Sequence, residues 1–105
     1  MKKYDLEERL IDFSVLIIEI VDEIVNTKAG NHLAGQLVRS GTSVTLNYGE
    51  AQSAESKRDF IHKMKVILKE LRETYNCLRI IDKANLYKQN EKLTLAKIEN
   101  NEFIR

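Results

Sequence analysis

Arg58, Lys65, Lys69, Arg72, Arg79 and Lys83 follow one another at intervals of 7, 4, 3, 7 and 4 residues. Those intervals place all six cations on one face of a helix, with no acid on the same line. A row of this kind tracks a phosphate backbone, so these six residues are the candidate nucleic-acid-binding residues. The competing reading is a solvated face, or a partner for an acidic surface elsewhere in the chain. No aromatic side chain is expected among the six, so base stacking has no support from the pattern.

A second polar line, Gln36, Arg39, Ser40, Ser43, Asn47 and Glu50, invites a catalytic reading that its geometry does not favour. With a turn centred on Ala54–Glu55, antiparallel partners sum to about 109, which sets Arg39 opposite Glu70 and Asn47 opposite His62. A buried arginine requires a carboxylate, so Arg39 and Glu70 are expected to form a structural ion pair. Ser43, Asp59 and His62 can be written as a triad, but nothing supplies an oxyanion hole or a nucleophile elbow. His32 and His62 have no third ligand at metal spacing, and no glycine-rich loop precedes a helix in phosphate-binding form. Cys77 falls on a helix flank near Val66 and Ile80, where a packed thiol is expected rather than a reactive one. The reading is therefore no enzyme, no catalytic residues, no metal and no cofactor.

The elements that position these residues are all helical. A chain of 105 residues has room for one core, so residues 1–105 read as a single domain. It has no proline and 31% charged residues, the composition of a soluble helical protein. The longest unbroken apolar run, Val15–Ile18, is far below the roughly 18 residues of a membrane span. The start Met1-Lys2-Lys3 has the basic flank of a signal peptide, but acids interrupt what would be its apolar region. One cysteine cannot make an internal disulfide, which points to a reducing compartment, and a cytoplasmic location is expected.

The first segment, Asp5 to Val25, opens with Asp5 and Glu8 at capping-box spacing. Leu6, Leu10, Phe13, Ile17, Ile20, Val21 and Ile24 form its core stripe, and Ile11, Val15, Ile18 and Val25 add a second apolar strip. Gly30 and Asn31 are expected to end one helix and cap the next. The second segment, His32 to Gln52, places Leu33, Leu37, Gly41, Val44, Tyr48 and Ala51 inward. Its remaining arc, Gly35, Val38, Thr42, Thr45 and Gly49, is small and uncharged, and the segment is expected to be buried nearly all round. Ser56 and Asp59 open the third segment, which runs to Ala84 with Phe60, Met64, Ile67, Leu68, Leu71, Tyr75 and Leu78 inward and Asn85 at its end. The fourth, Asn90 to Ile104, carries Leu93, Leu95 and Ile98. Short loops between long helices give an all-α, antiparallel up-down-up-down four-helix bundle.

Charge is divided between segments. From Asp5 to Val25 seven acids face one base, a net of −6, whereas from Lys57 to Lys83 eight bases face four acids, a net of +4. The doubled apolar arc of the first segment and the uncharged circumference of the second exceed what one small bundle covers, so a homo-oligomer is expected.

Gln36, Leu37, Arg39, Ser40, Ser43 and Asn47 form the pattern Gln-Leu-x-Arg-Ser-x-x-Ser-x-x-x-Asn. Glu50-Ala51, Ser56, Asp59-Phe60-Ile61, Lys63, Lys69-Glu70-Leu71 and Glu73-Thr74 follow. The chain resembles the S23 family, four-helix bundle proteins encoded in intervening sequences of bacterial 23S ribosomal RNA genes. The resemblance implies assembly as a homopentamer with a central channel. It extends more distantly to the accessory proteins of diversity-generating retroelements, basic pentameric barrels that bind nucleic acid and a reverse transcriptase. By that analogy the expected function is a nucleic-acid-binding accessory protein, with RNA or DNA and an RNA-handling protein as partners. The alternative is a protein-interaction scaffold whose basic row docks an acidic protein.

Overall fold

The computed structural model describes residues 3–88 and 90–104. Four helices follow in order: α1 (Lys3–Asp22), α2 (Lys28–Gln52), α3 (Lys57–Lys83) and α4 (Asn90–Ile104). Contacts join α1 to α2, α2 to α3, α3 to α4 and α4 to α1, so each helix packs against two neighbours and α1 lies diagonally across from α3. Antiparallel neighbours leave α1 and α3 running in the same direction.

The helix ends show how local sequence fixes these bounds. The helix α1 begins at Lys3, not at Asp5, so Asp5 is a first-turn acid that complements the helix dipole rather than the cap. It stops at Asp22 instead of Val25, because Glu23 and Ile24 tighten onto the carbonyls of Ile20 and Val21. The amide of Val25 then donates to the Leu86 carbonyl, 3.0 Å away in the α3–α4 loop. The expected cap at Asn31 is also displaced. Thr27 caps α2, its Oγ1 accepting from the Gly30 amide at 3.0 Å. Gly30 lies in the first turn, where a Cβ would sit 2.2 Å from the Val25 carbonyl oxygen. Ser56 caps α3 by accepting from the Asp59 amide at 3.0 Å. Asn85 closes the same helix in the left-handed region (φ 56°). Its amide and that of Leu86 reach the Asp82 and Ile81 carbonyls, a Schellman closure.

Two clusters make up the core. Phe13, Ile17, Ile20, Leu37, Cys77, Leu78, Ile81, Tyr87, Leu93 and Ala96 form one; Leu10, Val44, Tyr48, Ile67 and Leu71 form the other. Each fully buried large side chain contributes about 1.5–3 kcal/mol. The close α1–α2 approach passes over Gly41, where an added Cβ would lie 2.9 Å from Ile17 Cγ2. Polar pairs are seated in the seams between helices. Ser14 Oγ bonds Thr45 Oγ1 at 2.7 Å, and Thr45 donates to the Leu10 carbonyl. Thr74 and Ser40 share a hydrogen bond of 2.8 Å at zero exposure. The buried Asn100 donates to the Leu71 carbonyl at 2.9 Å.

Several inward assignments shift. In α3 the buried line runs through Ile67, Leu71, Thr74, Cys77, Leu78 and Ile81, while Phe60 and Met64 lie exposed. In α4 only Leu93 of the three expected residues is buried; Leu95 and Ile98 face outward. Nor is α2 enclosed all round within the chain: Gly35 and Gly49 are exposed and Leu46 is 66% exposed. The second apolar strip of α1 keeps Ile11, Val15 and Ile18 on the surface, while Val25 is half-buried.

Candidate nucleic-acid interface

The face of α3 that points away from the core is defined by the same periodicity that buries Leu71 and Leu78. Arg58, Lys65, Lys69, Arg72, Arg79 and Lys83 all lie exposed along it. From Arg58 to Lys83 the row spans about 37 Å at about 1.5 Å per residue. That is close to one turn of duplex nucleic acid, about 34–36 Å.

Ion pairing among the described residues leaves this row out. Arg9, Arg39, Lys63, Lys92 and Lys97 supply the cations of the pairs that form, and none of the six takes part. Only Arg79 has a neighbour of note: its guanidinium stands 5.9 Å from the centre of the half-buried Tyr75 ring. An aromatic ring therefore borders the row, where the sequence pattern alone sets Tyr75 in the core. Two shallow clefts lie along the row. One, of about 460 Å³, is lined by Lys57, Arg58, Ile61, His62 and Lys65. The other, of about 350 Å³, is lined by Asn76, Arg79, Ile80 and Lys83. Sequence reasoning missed Lys57, His62 and Asn76 as members of this surface. Its helical positions were legible, but attention to a single line of cations passed over the residues beside that line.

On the adjoining corner, Arg39 Nη1 lies 3.2 Å from Glu70 Oε2, and its Nη2 reaches Glu73 as well. These two carboxylates push the Arg39 guanidinium further up, the hydrogen bond to Glu73 contributing most. The arginine side chain is 51% exposed, so the pair is a surface cluster rather than the buried pair anticipated. Asn47 does not turn to His62; its Nδ2 donates to the Ser43 carbonyl and hydroxyl. That bond engages Ser43 within its own helix, while His62 stands on the surface. Burial pushes the Cys77 thiol up, which opposes thiolate chemistry. Among the described residues no three His, Cys, Asp or Glu side chains converge on a metal-sized site. None of the helices is long and apolar enough to cross a membrane.

The outward face of α1 is the counterpart of the row. Glu8, Asp12, Glu19 and Asp22 are exposed beside Ile11, Val15 and Ile18. Glu19 meets Lys92 at 3.9 Å, whereas Glu8, Asp12 and Asp22 have no ion-pair partner among the described residues.

The family model of the 23S rRNA-intervening sequence protein matches residues 2–103. The chain belongs to this family. A crystal structure of a protein of unknown function from the S23 ribosomal protein family of Bacteroides thetaiotaomicron superposes with a TM-score of 0.84. It is 28% identical, with 93% of this chain and 90% of that chain covered. No curated protein sequence matches the chain. An intervening-sequence protein of this kind is an all-α bundle of unassigned function, and neither comparison indicates an enzymatic family.

Proposed function

We propose that this intervening-sequence protein is a non-enzymatic, self-assembling helical bundle that binds the phosphate backbone of a nucleic acid along α3. The observation that carries the reading is the unneutralised row. Six exposed cations share one face about 37 Å long, while the pairs elsewhere use other cations. Leaving like charges together without counter-ions costs folding free energy and is repaid when a polyanion displaces the mobile ions around them. Recognition by such a face is weakly sequence-specific, since phosphate contacts position a protein without reading bases. Self-assembly, into a ring of five copies by the family resemblance, belongs to the same reading. A cytoplasmic site of action and an RNA-handling partner belong to the same proposal.

A gel-shift titration with mixed RNA and DNA at two salt concentrations tests it. Lys65→Glu, Lys69→Glu and Arg72→Glu together abolish binding while the fold stays intact, because all three are exposed. Absence of binding by the unaltered protein even at low salt contradicts the proposal. A second reading, a scaffold that docks an acidic protein, draws on Ile61 and Ile80, exposed at 43% and 51% among the cations. It expects the same triple variant to lose a protein partner instead.

A further inference from the structure

The nucleic-acid reading leaves one surface unexplained. Ile11, Val15 and Ile18 form an apolar strip on α1, exposed at 38%, 48% and 42%. Nothing among the described residues covers it, and a polyanion has no use for it. Leu46 on the neighbouring α2 is exposed as well, and beyond Gly35 and Gly49 the space is open, so another helix can come close there. We infer that this acid-flanked strip of α1 docks on the basic row of α3 in a second copy of the chain.

Charge decides the geometry. A symmetric contact of α1 with α1 would set Glu8, Asp12, Glu19 and Asp22 against their own kind. Like charges facing one another raise the free energy of such a contact and suppress it. The basic row is the complementary surface, and it carries Ile61 and Ile80 to meet the apolar strip. The spacings also agree. Glu8, Asp12 and Asp22, free of ion pairs among the described residues, stand 4 and 10 residues apart, as do Lys65, Lys69 and Arg79. Both helices run in the same direction within a chain. Copies rotated about an axis parallel to the bundle keep that direction, so the two triplets meet in register. A contact between two different faces is heterologous, and repetition closes a ring or builds a filament.

This inference rests on the self-assembling part of the reading above and not on its nucleic-acid part. It adds a consequence for that site: a neighbour's α1 and a phosphate strand contend for the same cations.

Light scattering at micromolar concentration, with circular dichroism to verify the fold, tests the docking on full-length protein. One variant carries Glu8→Lys and Asp12→Lys, a second carries Lys65→Glu and Lys69→Glu, and a third combines all four. All four positions are exposed, so each variant folds. The first two associate at least ten-fold more weakly than the unaltered chain, and the four-residue swap restores assembly. Assembly by either two-residue variant at the unaltered strength overturns the inference. A swap that stays dissociated, or an unaltered chain that scatters as a 12 kDa monomer, overturns it as well. In a gel shift with mixed RNA the first variant, its α3 row intact and uncovered, binds at least as tightly as the unaltered chain. Weaker binding overturns the shared use of the row. Loss of RNA binding by every protein, with the assembly pattern intact, contradicts the nucleic-acid proposal alone.

Discussion

The outward faces of α1 and α3 stand at opposite corners of one bundle, each on a helix whose inner side is locked into the same core. Their inner sides are interchangeable in kind, aliphatic and aromatic residues with a few seated hydroxyls. Their outer sides are opposites: acids around an apolar strip on α1, cations with two isoleucines on α3. Apart from the Glu19–Lys92 contact, the acids and bases of these faces form no ion pairs among the described residues. The contrast teaches that fold and charge pattern are separable here. Packing accounts for the bundle, and the division of charge concerns what approaches from outside.

The sharpest way to break the comparison is to cross from outer to inner side on α1. Phe13→Ala removes a 1% exposed ring that packs edge-on against Phe103 at 5.4 Å, and costs about 3–5 kcal/mol in urea unfolding. Val15→Ala, two residues away and 48% exposed, changes the unfolding of the dissociated chain by less than about 0.5 kcal/mol. A large Val15 effect in that state would mean the chain covers the strip itself.

Alkaline pH probes the junction where α1 meets the α3–α4 loop. Burial, with a hydrogen bond to Glu23, pushes the Tyr87 hydroxyl up to about 12 from an ordinary value near 10. The folded state thus holds this proton more tightly than the unfolded state. The stabilisation is fully present below about pH 10 and is lost as pH rises through 12. Melting curves of the unaltered chain fall over that window, and Tyr87→Phe flattens the fall. An equal fall in the variant would assign it to other groups.

Glycines report on the same inner–outer contrast along α2. In the dissociated chain Gly35→Ala places a methyl group in open space and gains about 0.4–1 kcal/mol from reduced freedom of the unfolded chain. Gly41→Ala pushes a methyl group to within 2.9 Å of Ile17 and destabilises instead. Thermal melts of the two variants should move in opposite directions.

Arg39 and Glu70 give the smallest effect. At 51% arginine exposure, a double-mutant cycle should yield a coupling of about 0.2–1 kcal/mol. A coupling of several kcal/mol would show that another chain buries the pair.

How far the sequence disclosed this follows from which forces are local. Helical periodicity carried the four elements, and the caps at Ser56 and Asn85 follow from side chains within a few residues. Antiparallel register alone placed Arg39 beside Glu70. The end of α1 was hidden because the Val25 amide is satisfied by Leu86, some sixty positions on. Gly30 misled for a related reason: it is small to clear the Val25 carbonyl, not to end a helix. Phe60 and Met64 keep helical apolar spacing and still face outward, as do Leu95 and Ile98, since period alone does not say which arc a neighbour covers. The six cations of α3 were legible as a row, but only the structure shows the ion pairs passing them by.

The central claim, that this row exists for phosphates, is tested most directly by the salt dependence of affinity for a mixed-sequence duplex. Six phosphate contacts give log Kobs against log salt a slope near −5, at about −0.9 per contact. Lys69→Glu should lower affinity across all sequences alike and make the slope less steep by about one or more. A flat salt response, or a Lys69→Glu variant that binds like the unaltered protein, would contradict the account.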